Sequence, residues 1–163
     1  MKYSIRKAEM NDIKFVQQVA KVSWNSTYEG IIPDEIQENF LTAAYSDDMM
    51  ERRIKNSLFL VAVAEEEIVG FANFSPVREE GEAELGAIYL LPEYQGNAIG
   101  TALLQEGIHL LEGVRKVFIN VEKENEIGKN FYQAKGFQVF SEFDDDFDGH
   151  ILKTIRMVLQ VEK

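Results

Sequence analysis

The stretch Ala87-Ile88-Tyr89-Leu90-Leu91-Pro92-Glu93-Tyr94-Gln95-Gly96-Asn97-Ala98-Ile99-Gly100-Thr101-Ala102-Leu103-Leu104 decides the fold. It reads as a strand, a turn broken by proline, a tight loop of small residues and the first turn of an amphipathic helix. A strand that runs through small residues into a helix start leaves several backbone N–H groups aimed at one spot. Such a spot carries partial positive charge and suits a phosphate or diphosphate. The stretch marks the chain as a candidate binder of a nucleotide cofactor.

Upstream, Tyr3 to Ala8 alternates with a period of two and predicts a short strand. Asn11-Asp12 is a helix-start signal, and Ile13, Val16, Val19 or Ala20, and Ser23 or Trp24 follow at helical spacing to about Ser26, with Gly30 ending the run. Pro33-Asp34-Glu35 opens a second helix, with Ile36 and Phe40 on one face, and Ser46-Asp47-Asp48 opens a third that ends near Asn56. Leu58 to Ala64 and Ile68 to Ser75 are rich in β-formers and flank Glu65-Glu66-Glu67, which predicts an antiparallel hairpin. Arg78 to Glu82 reads as a solvated connection and Glu84 to Leu91 as the next strand.

Downstream of Gly100, Leu103, Leu104, Ile108 and Leu111 share a helix face that stops near Gly113. Lys116 to Val121 predicts a strand and Asn125 to Lys135 a helix, with Gly136 suited to the position just past its end. Two closing strands, Phe137 to Phe143 and Lys153 to Val161, are expected to be joined by an acidic turn at Asp144-Asp145-Asp146. The element order is that of one mixed-sheet α/β domain over residues 1–163, without repeats or linkers.

The 163 residues suffice for a single core, and 45% hydrophobic and 11% aromatic content is that of a globular chain. There is no cysteine, which excludes disulfides, thiolate metal sites and cysteine nucleophiles. Only two histidines, His109 and His150, are present and far apart, so no metal is expected and both read as surface residues. No segment has the run of apolar residues that a membrane span needs, and the N-terminus lacks an apolar signal core. The expectation is a cytoplasmic protein that contacts no membrane. A net charge of −11 argues against nucleic acid as a partner and is compatible with a cationic substrate, although solubility is the commoner reason for an acidic surface.

The element order and the loop after the fourth strand resemble the GCN5-related N-acetyltransferases, or GNAT superfamily. Their motif Gln/Arg-x-x-Gly-x-Gly/Ala aligns with Gln95-Gly96-Asn97-Ala98-Ile99-Gly100, with Ala98 where the family usually has glycine. A second signature, Asn-x-x-Ala-x-x-Phe-Tyr-x-x-x-Gly-Phe, aligns with Asn125 to Phe137, with Gly128 in place of alanine. The resemblance is of the bacterial, small-acetyltransferase type. It implies a central mixed, mostly antiparallel twisted sheet of about six to seven strands flanked by helices. It also implies acetyl-CoA as cosubstrate, transfer of the acetyl group to a primary amine, and no metal. Many members dimerise, which leaves a homodimer as an open expectation.

Residue roles follow from the same resemblance. The peptide groups of Ile88, Tyr89 and Leu90 would hold the pantetheine arm. Gln95, Gly96, Asn97, Ala98, Ile99, Gly100 and Thr101 would hold the diphosphate. Asn125 matches a position that contacts CoA, and is equally an ordinary helix cap. An alkyl amine, with a pKa of roughly 10.4, must lose a proton before it attacks. Glu84 matches the glutamate base of histone-acetylating members. By strict alternation it shares a face with Gly86, Ile88 and Leu90, unless a bulge interrupts the strand. Tyr132 matches the tyrosine that protonates the departing thiolate. It sits about 100° round the helix from Ile127 and Phe131, which are expected to face the core. Oxyanion stabilisation falls to a backbone N–H of the cofactor strand.

Acceptor selection in the family implicates Trp24, Tyr28, Glu29 and Tyr45, with the acids Asp144 to Asp146. The stretch from Ser23 to Pro33 looks like one in polyamine acetyltransferase-like members, and aromatic faces with carboxylates suit an ammonium group. Small-molecule or peptide amines are the expected acceptors. Protein N-terminal or lysine acetylation, and a catalytically silent acyl-CoA-binding module, are the alternatives.

Overall fold

The computed structural model describes residues 2–96 and 98–162. Its framework is a seven-stranded sheet in the order β1-β2-β3-β4-β5-β7-β6. The strands are β1 (Tyr3–Lys7), β2 (Leu58–Ala64), β3 (Glu67–Phe74), β4 (Glu82–Leu90), β5 (Lys116–Glu122), β6 (Gln138–Phe147) and β7 (His150–Gln160). Helices α1 (Ile13–Tyr28), α2 (Asp34–Ala44) and α3 (Asp47–Asn56) lie between β1 and β2. Helix α4 (Ile99–Leu110) follows β4, and α5 (Glu126–Ala134) follows β5. All pairings are antiparallel except β4 with β5. The expected mixed, mostly antiparallel sheet with flanking helices is what the chain forms.

Strand alternation sends each face to its own helices. In β2, Leu60, Ala62 and Ala64 pack toward α4 with Phe74, Leu103, Leu104, Ile119 and Met157. The intervening Phe59 and Val61 pack toward α1–α3 with Val16, Met50 and Phe71. A strand buried on both faces cannot alternate apolar with polar, which is why Leu58 to Ala64 is apolar throughout. At Gly107 in α4 a methyl group would run into the Phe74 ring, so glycine there sets the closeness of helix to sheet. Ser46 caps α3 by accepting a hydrogen bond from the Met49 N–H at 3.2 Å. Asp12 stands at the N-cap of α1, but its carboxylate turns instead to Arg6, at 2.7 and 3.0 Å, and to the Glu9 N–H.

Two expectations are corrected. The acids Asp144, Asp145 and Asp146 do not form the last turn; they lie inside β6, and Asp148-Gly149, both at positive φ, make the turn. β6 is an edge strand whose residues up to Asp146 are exposed, so carboxylates there stay solvated and the composition mimics a loop. In β4 the register jumps from Phe74↔Leu85 to Asn73↔Ala87, leaving Gly86 as an inserted residue. The bulge inverts the alternation beyond it, so Glu84 does not share a face with Ile88 and Leu90. Ala83 and Leu85 pack toward α4, as do Ile88 and Leu90, whereas Ala87 and Tyr89 pack toward α1. No helix among the described residues is long and apolar enough to cross a membrane.

Candidate active site

β4 and β5 run side by side for three residues each, Glu82–Glu84 against Lys116–Phe118, and then part. β5 continues against β7 as far as Glu122↔Thr154, while β4 continues against β3 as far as Leu90↔Gly70. Among the described residues, the edge of β4 that faces β5 therefore has no strand partner from Leu85 onward, and its N–H and C=O groups need another. The parting opens a cleft of about 730 Å³. Leu85 to Leu90 form one wall and Asn120, Val121 and residues of α5 the other. Ser26, Thr27 and Tyr28 at the end of α1 and the loop before α4 also line it.

That loop turns the chain through Gly96 at φ 82° and Ala98 at φ 64°. Ala98 is the N-cap of α4 and offers no side-chain cap. The first intrahelical bond is Ala102 N–H to Ala98 C=O, so the N–H groups of Ile99, Gly100 and Thr101 have no acceptor within the helix. A methyl at Gly100 would lie 3.2 Å from the Phe131 ring, which fixes how closely α5 approaches the loop. Open β4 backbone beside a helix start that no described side chain caps suits an extended amide-bearing arm that ends in a diphosphate. The residues present thus fit coenzyme A. Gln95, Gly96, Ala98, Gly100 and Thr101 line the cleft; Ile99 points into the core, leaving its N–H as the group available, and Asn97 lies outside the described residues.

Three tyrosines converge here. Tyr132 on α5 sits edge-on to Phe131 and Phe137, at 5.5 and 5.4 Å between centroids. Burial pushes its phenol well above the usual value, so it keeps its proton throughout the working range. Tyr28 is 8% exposed. Burial raises its phenol and the Glu122 carboxylate adds to this, while the Tyr89 hydroxyl and Asn125 amide pull the other way. Tyr89 is raised by burial, then by the Tyr28 and Tyr45 hydroxyls. Glu122 is raised chiefly by burial, partly offset by the Glu124 N–H, which donates to it at 2.6 Å. Asn125 lines the cleft and caps α5 at once, its Oδ1 accepting from the Gly128 N–H at 2.9 Å.

Glu84 lies elsewhere. Its two oxygens accept from Arg156 Nη1 and Nη2 at 2.8 and 2.6 Å, and Arg78 approaches at 3.3 Å. The Arg156 guanidinium rests over the Phe118 ring, 4.4 Å from its centroid, and also donates to Asn120 Oδ1 at 3.0 Å. Glu84 does not line the cleft, whereas Asn120 does. Of the acceptor candidates only Tyr28 reaches the cleft. Trp24 lies beneath it, 4.5 Å from the Tyr28 ring and stacked on Phe40 at 4.4 Å. Glu29 is exposed at the end of α1, and Tyr45 is buried under Arg53. Ile127, expected in the core, is 71% exposed at the cleft wall. Sequence reasoning missed the Tyr89 hydroxyl, Asn120 and Lys135. Only the bulge brings the first to Tyr28, and nothing local marks the other two.

Together with the two motifs, the parted strands define the class as an acyl-CoA-dependent N-acetyltransferase. The profile of the acetyltransferase (GNAT) family matches residues 23–137, and the chain belongs to that family. It is 32% identical to a spermidine N(1)-acetyltransferase of Thermoplasma acidophilum, over 90% of this chain and 95% of that one. To an uncharacterised N-acetyltransferase of Bacillus subtilis, YuaI, it is 34% identical over 93% and 90% of the two chains. The crystal structure of the PaiA N-acetyltransferase of T. acidophilum with coenzyme A superposes with a TM-score of 0.87 at 30% identity, covering 99% of this chain and all of that one. The chain is an acetyl-CoA-dependent N-acetyltransferase acting on amines.

Proposed function

We propose that the acceptor is a small polyamine-like primary amine. The observation that carries this reading is the likeness, over nearly the full length of both chains, to a spermidine N(1)-acetyltransferase. The acidic surface and the tyrosine-lined cleft agree with a cationic acceptor. Bound acetyl-CoA supplies an activated acyl group. The open backbone of Ile88 to Leu90 and the N–H groups of Ile99 to Thr101 hold its arm and diphosphate. Tyr132, kept protonated by burial, carries the proton for the departing thiolate.

The amine's proton leaves by a different route from the one expected. Glu84 is engaged by a guanidinium fork, and its role is to hold Arg156 and, through it, Asn120. The Glu122 carboxylate, made more basic by burial, is the final acceptor, and the Tyr28 phenol relays by releasing its own proton toward Glu122 as it takes the amine's.

The test is incubation with acetyl-CoA and a panel of spermidine, spermine, diamines and short peptides with free N-termini or lysines, with products read by mass spectrometry. Acetylated polyamine is the expected product. Acetylated peptide alone would transfer the assignment to protein acetylation, and tight acetyl-CoA binding without any product would make the chain a silent binding module. In the same assay Tyr132→Phe is expected to lower kcat by about a hundredfold with little change in KM for the amine. Full turnover by that variant would remove the tyrosine from the chemistry.

A further inference from the structure

The chain carries a net charge of −11, yet its cosubstrate brings several phosphate charges of the same sign. Among the described residues lining the cleft, Lys135 alone is cationic, while Glu124 and Glu126 are the carboxylates. Lys129, nearby on α5, is engaged by Glu126 at 2.9 Å. Lys135 is half-buried at the C-cap of α5, with its Nζ 5.7 Å from the centre of the Phe131 ring. That ring in turn abuts Gly100 at the start of α4. The Lys135 ammonium is thus one aromatic ring away from the N–H groups of Ile99 to Thr101, which have no acceptor within α4.

We propose that Lys135 anchors the phosphate end of acetyl-CoA by pairing with a phosphate oxygen. The assignment rests on the reading of the α4 start as the diphosphate site. Backbone N–H groups supply only partial charge and orientation, and the ammonium adds a full charge at the same end of the cleft. A lysine at this position also interacts with the α5 dipole and the Phe131 face, with or without ligand. Those interactions stabilise the fold and are indifferent to the phosphates of a ligand, so the two roles separate in a binding cycle.

The cycle compares the wild type with Lys135→Ala and Lys135→Arg by calorimetry. The ligands are acetyl-CoA, acetyl-dephospho-CoA, which lacks the 3′-phosphate, and S-acetyl-pantetheine, which lacks all phosphates. Lys135→Ala is expected to weaken acetyl-CoA roughly five- to tenfold, to leave S-acetyl-pantetheine unchanged, and to differ less from the wild type at high salt. Lys135→Arg should recover most of the affinity. A loss confined to acetyl-CoA identifies the 3′-phosphate as the partner, and a loss shared with acetyl-dephospho-CoA identifies the diphosphate. An equal loss for all three ligands, or none, overturns the assignment while leaving the cofactor site intact. Failure of the wild type to bind acetyl-CoA at all would instead overturn the diphosphate reading and this anchor with it.

Discussion

Ala98 holds φ 64° and ψ 7° at the N-cap of α4, a left-handed conformation in which an L side chain crowds its own backbone. The family's usual glycine has no such conflict. Ala98→Gly is therefore expected to stabilise the protein by about 1 kcal/mol, a rise of roughly 2–4 °C in Tm, readable by thermal unfolding. A fall in Tm would mean that the methyl makes a compensating contact. At the same scale, Glu84 shows where a sequence stops being legible. Its identity and place at the start of β4 match a family base, and its partner Arg156 lies 72 residues away on β7. Nothing local to Glu84 announces that partner, and the Gly86 bulge that turns it from the cofactor face is a single inserted residue. Tyr132 was legible from the motif, which puts it in the cleft lining; the 3.6-residue period misled, because Ile127 and Phe131, expected to face the core, line the cleft as well.

The hairpins make the same contrast between elements. Asp148-Gly149 joins β6 to β7 with the residues that a two-residue turn at positive φ favours, and Glu65-Glu66 joins β2 to β3 at φ 52° and 67° with residues it does not. The β2–β3 turn exists because its strands are forced together by burial, not because its residues ask for it. Glu65→Asn with Glu66→Gly is expected to stabilise the hairpin by about 1–2 kcal/mol, measured as a higher denaturation midpoint at unchanged m-value. No gain would show that the glutamates are held by other contacts, of which the Tyr94 hydroxyl at 3.5 Å from Glu65 is one. Apolar runs and caps made β2, β3, α3 and α5 legible to within a residue or two. β6 was not legible in its second half, because an exposed edge strand has no buried face to impose a pattern.

For the whole molecule the decisive feature is a relation between elements. β5 takes β7 as its neighbour and leaves β4 after three paired residues, and this alone opens a cleft through an otherwise continuous sheet. Charge is arranged on the same plan, with exposed acids over much of the surface and Lys135 the one cation among the described residues of the cleft lining. A cosubstrate lying along β4 with its diphosphate at α4 must slow exchange of the backbone amides it covers and spare strands remote from the cleft. Hydrogen exchange with and without acetyl-CoA, read by mass spectrometry at peptide level, tests this placement most directly. Protection concentrated in residues 85–90 and 99–101, with β6 unchanged, is the expected result. Acetyl-CoA binding that leaves both segments exchanging as before, with protection elsewhere, would contradict it.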